Sequence, residues 1–370
     1  MMWLTWRQFR AQAITAVAAL AAFAIVLALT ESHMASMYDS SGLTSCHGGT
    51  CAGLATTFLV QLSSGQGVSF LPVGANVYVL LYFLSVLVIL VAPVITGIFW
   101  GAPLIARELE AGTFRLTWNQ SVTRTRWLTV KLALIGVAAM AVAEAFSLLQ
   151  AWWAAPIGKA VGLGGGASIF GEGRFGWFVF PSHGITPLGY AAFAFALGVT
   201  VGLLIRRPIP AMAATLAIFA VFQAVVPLWI RPNLFPTSQT TATIAASGAN
   251  VSLRANPGLR LTASIVPGQP GAWIISSEGV NAAGQQVGTI PASCEQAVSD
   301  ALSPHTGTTG ASGGSTALDN CVASHGIRVA ESYQPASHYW PLQFAETGFY
   351  LALALALSWY CFWRLNRRRS

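Results

Sequence analysis

Charge is what this sequence has least of. Only 8 % of its 370 residues are Asp, Glu, Lys or Arg, while 54 % are hydrophobic. A soluble domain carries about 25 % charged residues, so a water-facing globule is excluded. Lysine is scarce as well: Lys131 and Lys159 stand against seventeen arginines, which with abundant Ala and Gly fits a high-GC bacterial genome. Catalytic and nucleotide-binding motifs are also lacking. There is no G-x-x-x-x-G-K-[ST] loop, no H-E-x-x-H and no closely spaced carboxylate pair inside an apolar run. The single G-x-G-x-x-G, Gly171–Gly176, follows no strand and reads as a flexible or interfacial loop. Nor does the net charge of +7 require nucleic acid, because membrane topology accounts for it.

What is present is long apolar runs. They lie near Ala13–Thr30, Val77–Trp100, Lys131–Trp153, Thr186–Ile205, Ile209–Ile230 and Leu342–Trp363, each long enough to cross a hydrocarbon core of about 30 Å. The expected fold is an all-α polytopic membrane protein with six transmembrane helices and a lipid bilayer as its solvent. Its segments would be residues 1–12, 13–230, 231–341 and 342–370. One side of the spans gathers Arg7, Arg10, Arg107, Arg115, Arg124, Arg126, Lys131, Arg206, Arg207, Arg364, Arg367, Arg368 and Arg369, thirteen of the nineteen basic residues. Positive charge is retained in the cytoplasm, so both termini are expected inside a bacterial plasma membrane. The segment Ser32–Asn76, with no Lys or Arg, is then outside. The first run exceeds the 7–15 residues of a signal peptide and reads as a retained span. Before it, Met2, Trp6, Phe9 and Ala13 recur at helical spacing, which predicts an amphipathic elbow helix in the headgroup layer.

Cysteine usage agrees with this topology. Cys46, Cys51, Cys294 and Cys321 all fall outside, where disulfides persist, and proximity predicts Cys46–Cys51 and Cys294–Cys321 bridges. No metal-type spacing accompanies them. The outer segment Glu31–Asn76 has few periodic runs, and Ala154–Ile185 is Gly-rich and aromatic. Arg231–Pro341 is long enough for a small extracytoplasmic domain between spans five and six. Short strands are expected there at Val251–Arg254, Leu259–Val266, Trp273–Ser276 and Val287–Ile290, with a Gly/Ser/Thr-rich loop at Ser303–Thr316.

The most informative stretch is the first inner loop, residues 102–130. Pro103 can open a helix, Glu108 and Glu110 lie in its middle, and Gly112 can close it. Phe114 and Trp118 follow at i, i+4 with Arg115 beside them. Acids, arginines and large aromatics together suit either a docking surface or a loop that merely solubilises helix ends. Beside Arg107, the residues Glu108, Glu110, Gly112-Thr113-Phe114 and, ten residues on from Phe114, Arg124 resemble the inner-loop signature of ABC-transporter permeases of the drug- and antibiotic-export type. Arg115 stands where that pattern usually has an acid and Ser121 where it usually has Pro. The resemblance implies an elbow helix, six spans, a second permease copy and two cytoplasmic P-loop ATPase subunits contacted by this loop. It implies no cofactor in this chain, with ATP and Mg on the partner ATPase.

Four polar residues inside spans stand out: Glu144, Gln150, Gln223 and Glu346. Glu144 lies about 20 Å along the third span from Lys131 at 1.5 Å per residue. An ionisable group at that depth faces protein or water rather than lipid, as a functional group or as a packed carboxyl. Gln150 and Gln223 are candidates for the translocation path or for interhelical hydrogen bonding. Glu346, one turn inside the sixth span, is placed to pair with Arg231. The functional expectation is a non-catalytic exporter permease of unidentified substrate. Two alternatives stand beside it: a sensing complex that detects an antibiotic or envelope component, and a membrane-embedded enzyme using Glu144.

Overall fold

A computed structural model describes residues 2–46, 51–64, 76–110, 123–164, 170, 173–244, 250–253, 259–262, 271–302 and 313–367. Among the described residues six helices are long and apolar enough to cross a membrane: Phe9–Ser40, Val77–Arg107, Thr125–Trp153, Thr186–Ile205, Pro208–Asn233 and Ala336–Arg367. These are the six spans read from the sequence. The fourth is the centre of the bundle, with 83 % of its apolar window buried, and the first is peripheral, with 6 %.

Local chemistry sets the span ends. Asn76 caps the second span, accepting from the Tyr78 N–H at 2.9 Å while its amide donates to the Leu62 carbonyl at 2.6 Å. Thr123 caps the third by accepting from the Arg126 N–H at 3.3 Å. The fourth span stops at Arg206, whose φ of 59° is left-handed, and the fifth starts at Pro208. Only two residues separate these antiparallel spans, because Pro cannot continue a helix but is pre-shaped to begin one.

Several boundaries differ from the sequence expectation. The elbow and first span form one uninterrupted helix, Met2–Ser40. Phe9 anchors its N-terminal end: the ring is buried and meets Trp100 edge-on at 4.8 Å. Within Glu31–Asn76 the same helix runs to Ser40 and a further helix spans Cys51–Ser64. Pro103 opens no new helix. The second span continues from Val77–Ile95 through a π-helical turn, Thr96–Gly101, into Ala102–Glu110. Pro93 lies just before that turn and Pro227 inside a second one, Val226–Ile230. Both prolines remove a backbone donor, and the widened turn absorbs the loss.

Between the fifth and sixth spans lies a small inserted domain. Its sheet has strand order β1 (Ser238–Thr243), β5 (Arg328–Gln334), β4 (Trp273–Val280), all antiparallel, beside a two-stranded pair of β2 (Asn250–Leu253) and β3 (Leu259–Thr262). Val287–Ile290 is not a strand; its neighbourhood makes only the isolated bridge Val280–Gln286. Of the expected Ser303–Thr316 loop, Gly313 onward starts a helix ending at Ser324, and residues 303–312 lie outside the described set. Ile244, Cys294, Leu318, Val322, Ile327 and Val329 make the domain's apolar core. A Cys294–Cys321 disulfide runs through it, and a Cys46–Cys51 disulfide closes the turn after the first span.

Candidate functional site

At the end of the bundle opposite the inserted domain, five spans meet in one apolar cluster. Phe9, Trp100, Ile105, Trp127, Leu128, Val199, Leu203, Cys361 and Leu365 are among its buried members. Helix Ala102–Glu110 is built onto this cluster: Ala102, Ile105 and Ala106 are fully buried, whereas Arg107 and Glu110 are exposed. The helix therefore has a fixed back and a charged front. Lys131 is held beside it, its ammonium 4.7 Å from the Trp127 ring centroid. Glu108 is in the same helix and Arg124 starts the third span, though their side chains are outside the described set. Gly112, Thr113, Phe114, Arg115 and Trp118 also lie outside the described residues.

Close backbone contacts lock this helix and the π-helical turn before it to the fourth span. A Cβ at Gly97 would meet the Ala194 carbonyl oxygen at 2.7 Å, and one at Gly101 would meet that of Phe195 at 2.7 Å. Gly198 and Gly202 of the fourth span face the Gly97 and Ala102 carbonyls more closely still. The backbones touch, with no side chain between them.

At the opposite end a polar cluster joins spans four, five and six. Arg231 binds Glu346 through two bonds, Nε to Oε2 at 2.8 Å and NH2 to Oε1 at 3.0 Å, and both side chains are buried. Tyr190 donates its hydroxyl to the same carboxylate, and the guanidinium carbon lies 4.2 Å from the Phe180 ring centroid. One turn deeper, Tyr350 meets Tyr190 edge-on at 4.8 Å and donates to Gln223 Oε1 at 3.4 Å. Gln343 caps the fourth span from outside it, accepting from the Ile185 and Thr186 N–H groups, each at 3.2 Å. Its amide donates to the Phe180 and His183 carbonyls at 3.2 and 3.1 Å. Gly184 is required here, since its φ is +69° and a Cβ would meet Gln343 Oε1 at 2.8 Å. Burial holds the His183 imidazole below its ordinary pKa; the Val179 carbonyl opposes this and the nearby Arg174 charge adds to it. The sequence pointed to Arg231, Glu346 and Gln223 but not to Tyr190, Tyr350 or Gln343. A tyrosine inside an apolar span was the available signal, because its buried hydroxyl needs a partner.

The remaining polar groups do not converge. Among the described residues, Glu144 is half-buried with Oε2 buried and unpartnered, while Gln150 is fully buried and neither amide atom has a hydrogen-bond partner. Six residues apart, they point about 120° away from each other around the helix, and Gln223 serves the fifth–sixth span contact instead. An apolar cavity of about 300 Å³ opens between the first three spans, walled by Phe23, Leu27, Leu84 and Phe146 among others; neither Glu144 nor Gln150 lines it. Among the described residues one metal-type grouping occurs, Cys294, Cys321 and His325, with ligand atoms within 4.8 Å of one another. Both sulfurs are spent in the disulfide, so the grouping is a cystine with an imidazole over it.

The molecule thus has six spans, a charged helix fixed at one end and an inserted domain at the other. The ABC-2 membrane transporter related profile matches residues 17–231, more than half of the chain. This chain belongs to that family. The ABC-2-related match begins inside the first span and ends at Arg231, where the inserted domain begins. Family membership makes the chain a multi-pass membrane protein of a kind that is typically a non-catalytic subunit associated with an ATPase. No curated protein and no solved structure gives a significant match.

Proposed function

We propose that this ABC-2-related chain is the permease subunit of an ATP-driven exporter. Two copies would enclose the translocation path and couple to two cytoplasmic P-loop ATPase chains, which bind ATP and Mg. The observation that carries the reading is the Ala102–Glu110 helix. It continues the second span without a break, is backed by buried aromatics from several spans, and presents Arg107 and Glu110 outward. A push on such a surface moves a span rather than a flexible loop. Orientation follows from charge. Phe9, Trp100, Leu203 and Leu365 share one cluster, so Arg7, Arg10, Arg107, Arg206, Arg207 and Arg364 flank the same end of the bundle. By the positive-inside tendency that end is cytoplasmic. Both disulfides then lie on the oxidising side.

The loop residues Gly112, Thr113, Phe114, Arg115 and Trp118 complete the proposed ATPase-docking surface. Truncating a buried interface anchor costs about 2 kcal/mol or more, so Phe114→Ala should weaken ATPase docking roughly tenfold or more. Glu108→Ala should weaken docking or uncouple hydrolysis from transport. Co-purification and ATP turnover in nanodiscs measure both. Full retention of the ATPase and of coupled turnover by both variants would refute the reading and reopen the embedded-enzyme alternative. One observation favours sensing as the second reading: the inserted domain lies outside the family match, yet is packed onto the spans through Trp273, Phe175 and Tyr339.

A further inference from the structure

We propose that Arg231, Glu346 and Tyr190 form the coupling element through which the inserted domain acts on the spans. The domain joins the bundle at two points: the chain leaves the fifth span at Arg231–Asn233 and rejoins the sixth at Tyr339. Arg231 stands at the first point and Glu346 two turns beyond the second, and their paired bonds of 2.8 and 3.0 Å tie these points together across 115 residues. Tyr190 brings the fourth span into the same cluster by donating to Glu346. All three side chains are buried.

Contacts continue from this cluster into the domain. Gln334, the last residue of β5, donates to the Phe235 carbonyl at 2.8 Å, and His338 meets Gln334 Oε1 at 2.6 Å. Trp273, the first residue of β4, stacks on Phe175 at 5.9 Å, and Phe175 stacks on Phe180 at 6.1 Å. Phe180 in turn lies under the Arg231 guanidinium. Two strands of the sheet thus reach the fourth span through packed or hydrogen-bonded neighbours. On the far side, the fourth span packs along the second, third, fifth and sixth.

The chemistry explains why a charge cluster suits this position. A buried ion pair is seldom worth more in stability than well-packed apolar residues of the same volume, and its best-attested use is to fix register. A bidentate guanidinium–carboxylate pair accepts one geometry, whereas an apolar contact tolerates sliding. The cluster therefore passes a displacement of the domain's base to spans four and six instead of dissipating it. A molecule captured by the domain would be felt inside the membrane at Tyr190 and Glu346.

The test perturbs the domain from within and needs neither its ligand nor an ATPase. Full-length protein in nanodiscs is compared with Cys294→Ser/Cys321→Ser, each also in an Arg231→Met/Glu346→Leu background. Hydrogen–deuterium exchange is followed at residues 183–190 and 339–346. Loss of the disulfide should raise exchange there several-fold in the parent. With the ion pair replaced, it should raise exchange inside the domain alone. Equal responses of the spans in both backgrounds, or none in the parent, would overturn the proposal. Should the paired replacement not be recovered as monodisperse protein, Tyr190→Phe removes a single hydroxyl and carries the same comparison. It should reduce the response at 183–190 at least by half, and an undiminished response overturns the coupling role of Tyr190.

Discussion

Glu331 is the residue that fits its surroundings least well. It lies on β5, the central strand, and by the pleat shares a face with Val329 of the domain core. It is buried, neither carboxylate oxygen has a hydrogen-bond partner among the described residues, and there its cross-strand neighbour Ser277 likewise has an unpartnered hydroxyl. An ionised carboxylate there has nothing to replace its water, and burial pushes its pKa above the ordinary carboxylate value. The folded domain thus holds a proton that the unfolded chain releases. Its contribution is full below the ordinary carboxylate pKa and is lost as pH rises toward the folded value. Melting of the full-length protein between pH 4 and pH 8 should show the domain transition falling across that window, and Glu331→Gln should flatten the fall. A transition in Glu331→Gln with the parent's pH slope would refute the assignment. Arg231 and Glu346 show the opposite case: they stand at the ends of apolar runs 115 residues apart, and two rare charges of opposite sign inside spans could be matched from the sequence.

The spans were legible because hydrocarbon imposes one demand, about twenty apolar residues with every backbone group satisfied internally. The inserted domain answers to no such demand: β2, β3 and β4 were legible from their composition, whereas β1 and β5 were not. β1 is Ser-Gln-Thr-Thr-Ala-Thr, with no apolar alternation, and β5 carries Glu331 where a core residue would be expected. Val287–Ile290 has the composition of a strand but no partner ladder. The π-helical turns were hidden as well: Pro93 and Pro227 announce a disturbed helix, and only packing decides that it widens. Packing also separates glycines that look alike in sequence. A methyl at Gly198 would strike the Gly97 and Gly101–Ala102 backbone, whereas Gly348 in the sixth span has nothing within 4 Å of its Cβ position. Overpacking a close-fitted contact costs about 1–3 kcal/mol, while replacing a helical glycine by alanine in open space gains about 0.5–1 kcal/mol. Gly198→Ala should therefore lower the melting temperature, and Gly348→Ala should leave it unchanged or raise it. Equal melting of the two variants would contradict the backbone crossing of the second and fourth spans.

A single copy leaves the Glu144 carboxyl without an explanation. Glu144 is in the middle of the third span, half exposed, with an unpartnered carboxylate oxygen. Met140, one turn away on the same face, packs with Ala192, Ala196 and Ala354, so Glu144 borders the groove where the third span meets the fourth and sixth. Sequence could flag the residue, because a carboxyl at that depth is costly in lipid. It could not say what covers it, since that depends on how two copies meet. Lipid is the least favourable cover, and a water-filled path between copies is the one the exporter reading supplies. The two differ in chemistry: a thiol reacts as thiolate, which water supports and hydrocarbon does not. Glu144→Cys in the assembled complex should react with a charged, membrane-impermeant thiosulfonate, at a rate that changes when nucleotide is trapped on the ATPase. Val17→Cys is the control, 65 % exposed on the peripheral first span, and should stay unlabelled. Glu144→Gln should assemble normally and lose substrate-stimulated turnover. If Glu144→Cys is as inert as Val17→Cys and the Gln variant turns over normally, the carboxyl only packs, and the path runs along another face of the bundle.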